Sequence, residues 1–98
     1  MMLLTKEIRA KLPALYSQEN VADPIVQVKF FDPTGSFTWY AYEFDGEDQF
    51  FGKVVSSACP EGELGYFSLA EIQSVRGRWG LGIERDKWFT PKPLSQCN

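Results

Sequence analysis

Three short runs rich in aromatic and β-branched residues most constrain the fold of this chain. Residues 25–31 read IVQVKFF, in which valine, valine and phenylalanine alternate with glutamine and lysine. Such a period of two is typical of a strand with one buried face. Residues 37–44 (FTWYAYEF) and 49–55 (QFFGKVV) have the same aromatic character. With turn residues between the runs, the sequence predicts three antiparallel strands joined by two short turns.

The residues before these runs predict an N-terminal amphipathic helix. Ile8, Leu12, Leu15 and Tyr16 are spaced i, i+4, i+7 and i+8, which places them on one apolar stripe. Pro13 removes one helical hydrogen bond and disfavours a helical conformation for the preceding residue. We therefore expect a kink or a new helical start there, with the stripe still facing the core.

A second, short helix is predicted to begin at Ser68. Ser68 and Glu71 have the S-x-x-E spacing of a capping box, in which each side chain satisfies a backbone N–H. Residues 83–89 (IERDKWF) predict a last strand or extended segment. We therefore expect a single α+β domain over residues 1–98. Its antiparallel sheet has three to four strands, with the N-terminal helix and the short second helix packed on one face.

Composition limits the class of protein. Of 98 residues, 44% are hydrophobic and 23% are charged, which is ordinary for one folded domain with one core. No stretch reads as a signal peptide or membrane span, so we expect a cytoplasmic protein with no membrane partner. Cys59 and Cys97 are spaced neither as a redox pair nor as metal ligands, and we expect free thiols.

Enzymatic chemistry has little support in the sequence. The chain has no histidine, which removes the usual general base and the commonest metal ligand. The glycines at 77, 80 and 82 match neither a phosphate-binding loop nor a dinucleotide fingerprint. We predict a protein that is not an enzyme and that needs no cofactor and no metal.

The segment around Gly46 is the densest group of acidic residues. Four carboxylates, flanked by aromatic residues, lie around this glycine, and one of them forms with it an Asp-Gly pair that is common in hairpin turns. Because the segment lies between two predicted strands, it lacks the flanking helices of an EF-hand calcium loop. We interpret it as a solvated hairpin tip, with a weak divalent-cation site as the alternative. The four residues are Glu43, Asp45, Glu47 and Asp48.

Charge is divided unevenly along the chain. Residues 25–71 contain two basic and eight acidic residues, whereas residues 76–98 contain five basic and two acidic residues. Cations near the tryptophans of the last quarter are a combination that can bind phosphates and stack bases. Nucleic-acid binding through this quarter is therefore a second functional hypothesis, with Arg76, Arg78, Arg85 and Lys87 as its residues.

Nearly the whole chain resembles a known bacterial family. The resemblance lies in LLTKEIRAKLPALYS, VKFFDPTGSFTWYAYEFDGEDQFFG, GELGYFSLAEI and GLGIERDKWFTPKPLS. These blocks resemble the family catalogued as domain of unknown function 2958. The resemblance implies a small protein of plasmids, phages and other mobile elements. It implies no established activity, cofactor or catalytic residue.

Taken together, these features predict an interaction protein. The leading hypothesis is a non-enzymatic accessory protein of bacterial mobile elements that binds a protein partner through an acidic and aromatic surface. One form of it is an inhibitor whose carboxylates imitate DNA phosphates. The predicted partner-binding residues are Glu43, Asp45, Glu47, Asp48 and Trp39.

Overall fold

The computed structural model describes residues 2–97, and for Arg78 only the backbone. Within this range the chain forms seven β-strands and two short α-helices. The elements in chain order are α1 (Lys6–Lys11), β1 (Ile25–Val26), β2 (Val28–Phe31), β3 (Thr38–Phe44), β4 (Gln49–Ser56), β5 (Cys59–Ser68), α2 (Leu69–Ser74), β6 (Glu84–Arg85) and β7 (Lys92–Pro93), with 3₁₀ turns at Arg78–Gly80 and Leu94–Gln96.

The main sheet has five antiparallel strands in the order β5-β4-β3-β2-β6. Strands β2 to β5 follow one another in sequence and in space, as short connections favour. Strands β1 and β7 pair separately as a two-stranded antiparallel ribbon. The prediction of an α+β fold is therefore wrong: the chain is mostly β, and its main sheet has five strands instead of the three to four expected.

The predicted long N-terminal helix is also wrong, and Pro13 explains why. Helix α1 has only six residues and ends at Lys11. Leu12 adopts an extended conformation (φ −76°, ψ 121°), as expected for a residue that precedes proline. Leu12 is buried, whereas Tyr16 lies in a turn and is exposed. The predicted apolar stripe therefore does not continue beyond Pro13.

Strand β5 was not predicted, although it is the longest strand in the described range. Its sequence, CPEGELGYFS, contains proline, glycine and glutamate, which have low strand propensity. Pairing with β4 overrides that propensity over most of the length of β5. The second helix, in contrast, begins where the sequence predicts. Ser68 is its N-cap and accepts a hydrogen bond from the Glu71 backbone N–H at 3.2 Å.

Both faces of the main sheet carry a hydrophobic core. The larger core contains side chains of β2 to β5 together with α2 and the N-terminal segment, and Phe30 and Phe50 lie at its centre. The smaller core packs Tyr40 and Tyr42 against Val26 and Cys97. The sheet is therefore covered on one side by helical segments and on the other by the ribbon and the C-terminal turn. No helix among residues 2–97 has the length and hydropathy needed to cross a membrane.

Candidate functional site

The connection between β3 and β4 is a hairpin turn that Asp45 holds in shape. Asp45 Oδ1 accepts hydrogen bonds from the backbone N–H groups of Glu47 (2.8 Å), Asp48 (2.8 Å) and Gln49 (3.1 Å). Gly46 follows at φ +90°, a conformation that glycine adopts without steric cost. The hydrogen bonds from Glu47 and Asp48 are the main cause that lowers the pKa of Asp45. This carboxylate is therefore occupied by the backbone of its own turn.

Asp48 connects the hairpin to the start of α2. Its Oδ2 accepts a hydrogen bond from Ser68 Oγ at 2.6 Å, and its Oδ1 accepts one from the Ala70 backbone N–H at 2.8 Å. The Leu69 N–H donates to the carbonyl oxygen of Asp48 at 2.8 Å. A carboxylate at this position satisfies free N–H groups and interacts favourably with the helix dipole. Asp48 is a helix-capping residue.

Glu43 is buried, with only 3% of its surface exposed. Its carboxylate accepts hydrogen bonds from the backbone N–H groups of Tyr16 (2.9 Å) and Gln18 (2.8 Å). The register of β3 against β4 shifts between Ala41 and Glu43, which makes Tyr42 the extra residue of a bulge. Because of this bulge, Tyr42 and Glu43 line the same groove although they are neighbours in a strand. Glu43 thus fixes a distant loop to the sheet.

That loop presents Tyr16 in an unusual conformation. Tyr16 has φ 69°, in the left-handed region that costs a residue with a Cβ roughly 1–2 kcal/mol. Its side chain is 60% exposed, so burial of the ring does not explain the conformation. The hydrogen bond from its N–H to Glu43 holds it in place. Backbone strain of this kind is concentrated at functional positions, which makes Tyr16 a candidate binding residue.

The other two predicted partner-binding residues do not join these carboxylates. Glu47 is exposed, and among the described residues its carboxylate makes no hydrogen bond or ion pair. Trp39 is half-buried, stacks on Phe37 (centroids 5.6 Å apart) and packs against the larger core. It lies six residues before Asp45 in sequence, about 20 Å along an extended strand. The predicted site residues therefore do not converge on a single surface.

A groove of about 380 Å³ lies beside the C-terminal half of β5. A row of rings in edge-to-face contact runs along it, with centroid distances of 5.7 Å from Tyr42 to Phe51, 4.8 Å from Phe51 to Tyr66 and 6.4 Å from Tyr66 to Tyr16. The row begins in the smaller core and ends at the surface. Tyr66 is 53% exposed and Leu64 is 57% exposed. We call this groove, defined by Tyr16, Tyr42, Phe51, Leu64 and Tyr66, the aromatic groove.

The aromatic groove carries negative charge. Hydrogen bonding to Tyr16, then burial and the negative charges of Glu43 and Glu19, raise the pKa of Tyr66. Glu19 lines the groove and is exposed. Aromatic faces and carboxylates together attract cations. The groove therefore has the chemistry to hold a basic side chain.

Two of the cations predicted to bind nucleic acid make backbone contacts. Arg76 donates hydrogen bonds to the carbonyl oxygens of Gln73 and Val75, both at 2.8 Å. It thus satisfies carbonyl groups at the C-terminal end of α2. Arg85, on β6, donates to the carbonyl oxygen of Met2. These contacts give both arginines a structural role.

The region after β6 is more exposed. Lys87 is exposed, and the neighbouring Trp88 is 92% exposed. Asp86 forms an ion pair with Lys29 of β2 at 3.5 Å. The side chain of Arg78 lies outside the described part of the structure. Lys87 and Trp88 are therefore the exposed cation and ring that this region offers.

A second cavity, of about 580 Å³, lies between the N-terminal segment and α2. Arg9 and Arg76 line it, together with apolar residues such as Leu3 and Ile83. Arg9 donates a hydrogen bond at 2.8 Å to the carbonyl oxygen of Gly46. Although this cavity is larger, both guanidinium groups already donate to backbone carbonyl oxygens, that of Arg9 to the β3–β4 turn and that of Arg76 to the end of α2, so we regard it as a packing feature. Across residues 2–97, no group of three or more cysteine, aspartate or glutamate side chains is arranged to hold a metal.

Sequence reasoning missed the main residues of the aromatic groove. The sequence predicts Tyr16 on a core-facing helix, and it gives no strand for Tyr66, which precedes the predicted second helix. The alternation of Leu64 and Tyr66 around Gly65 was the available signal for a strand face, but the glycines and glutamates nearby obscured it. The pairing of Glu43 with Tyr16 spans 27 positions in sequence, and no local pattern predicts it.

Comparisons with known proteins address the family. Neither the curated proteins nor the solved structures gave a match to the chain. One family profile, described as "Protein of unknown function (DUF2958)", matches residues 3–97. The match covers nearly the whole chain and agrees with the resemblance noted in its sequence blocks. This chain therefore belongs to the DUF2958 family.

Proposed function

We propose that this chain is a cytoplasmic, non-enzymatic accessory protein of bacterial mobile elements that binds a basic segment of a protein partner in its aromatic groove. One observation carries the proposal: a buried carboxylate, Glu43, holds the exposed Tyr16 in a left-handed conformation beside Tyr66. The hydrogen bond to Glu43 offsets the backbone strain at Tyr16, and the exposed ring is thereby held in one position. A binding surface gains a fixed aromatic contact.

The chemistry of the groove favours a cationic ligand. Tyrosine and phenylalanine rings bind lysine and arginine through their faces, and exposed tyrosines are frequent at protein interfaces. Glu19 and Glu43 both line the groove, and their negative charges add to the raised pKa of Tyr66, whose main causes are the hydrogen bond to Tyr16 and burial. An acidic segment would meet like charge, and an uncharged apolar segment would leave the exposed carboxylate of Glu19 without a partner.

The hairpin tip is a weaker candidate for the binding surface. Three of the four carboxylates there accept hydrogen bonds from the backbone or from Ser68, so they are not free to imitate a row of phosphates. Arg9 also contacts the tip at Gly46 and brings a positive charge to it. We therefore place the proposed partner at the aromatic groove and retain only Glu47 as an unengaged acid of the tip.

Selection from a random library of peptides about ten residues long tests this proposal. We expect the selected peptides to be rich in lysine and arginine and to shift the amide resonances of Tyr16, Leu64 and Tyr66. Tyr66→Ala is expected to weaken their binding about tenfold or more, since an aromatic anchor typically contributes well over 1 kcal/mol. Trp88→Ala, which removes a still more exposed ring elsewhere, is the control and is expected to leave binding unchanged.

Tyr16→Asn separates binding from stability in the same assay. Asparagine tolerates the left-handed conformation better than tyrosine, so we expect a free energy of unfolding equal to or slightly above that of the wild type. Peptide binding is expected to weaken because the exposed ring is lost. Selection of acidic peptides, or binding that survives both Tyr16→Asn and Tyr66→Ala, would refute the proposal.

Nucleic-acid binding through the C-terminal quarter is the second candidate. The observation in its favour is the exposed indole of Trp88 next to the exposed Lys87, a pair suited to stacking and phosphate contact. Its affinity would fall steeply with salt, because each neutralised phosphate releases counterions. Given a net charge of −3, we predict weak or undetectable binding at physiological salt. Tight, salt-sensitive binding that Lys87→Ala and Trp88→Ala abolish would favour this candidate.

A further inference from the structure

We infer that the basic partner segment binds as an additional β-strand on the outer edge of β5, next to the aromatic groove. This inference rests on the proposed function and adds how the partner is held. Strand addition uses backbone hydrogen bonds for affinity and alternate side chains for specificity.

The first observation is the position of β5 in the sheet. It is the terminal strand, and within residues 2–97 the only strand that pairs with it is β4. The pairing is regular where residues 63–68 face residues 49–54. One edge of that stretch is therefore bonded to β4, while the other edge presents N–H and C=O groups to which a further strand can bond.

The second observation is that only half of this edge is protected. Pro60 and Gly62, which has φ +82°, lie in the N-terminal half, where the pairing is irregular. Proline, bulges and lysine are the usual devices that prevent pairing at an edge. The C-terminal half, Leu64–Phe67, has none of them. It instead exposes Leu64 and Tyr66, two large side chains that favour association.

The third observation is how these side chains face the groove. Leu64 and Tyr66 are two positions apart, so they lie on the same face of β5, and both line the aromatic groove. An added strand places every second side chain over that face, about 5 Å from its neighbours on β5. Basic residues at alternate positions of the partner would therefore meet the rings and the Glu19 carboxylate.

Charge argues against a second copy of this chain as the added strand. The exposed edge includes Glu61 and Glu63 and contains no lysine or arginine from Cys59 to Ser68. Two such strands would bring their glutamates close together, and like charges in facing strands are destabilising. A basic segment removes this repulsion and supplies the complementary sign.

N-methylation of a synthetic peptide in which lysine alternates with valine tests strand addition without altering the protein. Methyl groups on every second amide block the hydrogen bonds of one strand edge and leave the side chains in place. Two peptides carry the methyl groups in opposite phase, and a third is unmethylated. We expect one phase to lose binding about tenfold or more and the other to bind like the parent. Amide hydrogen exchange within residues 63–67 is expected to slow when the parent peptide binds.

Equal affinity of all three peptides, with Tyr66→Ala still weakening each, would refute strand addition and leave the proposed function standing. Failure of the unmethylated peptide to bind would count against both proposals. A dimer in sedimentation equilibrium whose dissociation exposes the amides of residues 63–67 to exchange would show that a second copy occupies the edge, and would also refute the inference.

Discussion

The hairpin tip and the aromatic groove both combine acidic and aromatic residues, but they use them in different ways. At the tip, the carboxylates of Asp45 and Asp48 accept hydrogen bonds from backbone N–H groups, and the neighbouring Phe44 is buried. At the groove, the rings of Tyr16 and Tyr66 remain exposed. Composition alone therefore does not distinguish a structural turn from a binding surface. The difference lies in which polar groups already have partners.

Glu43 belongs to both regions and shows how one depends on the other. It lies in β3 just before the tip, yet its carboxylate holds the loop that carries Tyr16. In the sequence, it belongs to the group of four acidic residues around the tip. The structure makes it the support of the groove. This division of roles leads to predictions that differ in size from one carboxylate to the next.

The largest effect is expected for Glu43→Ala. It removes two hydrogen bonds to a charged acceptor and leaves a space in a buried position, so we expect the free energy of unfolding to fall by about 3 kcal/mol. Urea unfolding followed by fluorescence measures this change. Glu19→Ala, which alters an exposed glutamate of the same groove, is the control and is expected to change stability by less than about 0.5 kcal/mol. Equal effects of the two substitutions would contradict the anchoring role of Glu43.

A smaller effect is expected for Asp48→Ala. Loss of the hydrogen bonds to Ser68 Oγ and the Ala70 N–H removes a cap from α2, for which we expect a loss of about 1–2 kcal/mol in the free energy of unfolding. Glu47→Ala, at the adjacent position of the same tip, is expected to stay within about 0.5 kcal/mol. Thermal or urea unfolding of both variants makes the comparison. If Glu47→Ala were the more destabilising change, the assignment of roles within the tip would be wrong.

Local sequence patterns predicted the elements that depend on neighbouring residues. They failed for the features that depend on contacts between residues distant in sequence. The alternation in IVQVKFF predicted the strand region, the Asp-Gly pair predicted the hairpin, and Ser68 predicted the start of α2. Strand β5 was missed because its pairing with β4 overrides poor propensity. The groove was missed because a bulge in β3 and a contact across 27 positions create it. Neither leaves a local signature in the sequence.

The smallest change in stability is expected from the titration of Asp45 at the tip. The pKa of Asp45 is lowered from 3.8 by hydrogen bonds from the backbone of the turn. Its stabilising contribution is therefore fully present above the unfolded-state pKa and is lost as pH falls through the lower folded-state pKa. We expect the free energy of unfolding to fall less in the Asp45→Asn variant than in the wild type as the pH is lowered from about 5 to about 2. Urea titrations of both proteins across this range measure it, and parallel curves would contradict the role of Asp45.

Two matched charge reversals test most directly the claim that binding occurs at the groove and not at the tip. Glu19 and Glu47 are both exposed glutamates, one lining the groove and the other at the tip, and each can be changed to lysine with little expected effect on folding. The measurement is the affinity of the selected basic peptide for each folded variant. We predict that Glu19→Lys weakens binding about tenfold or more, largely by slowing association, while Glu47→Lys leaves it unchanged. A strong loss with Glu47→Lys and none with Glu19→Lys would contradict the account and return the binding surface to the hairpin tip.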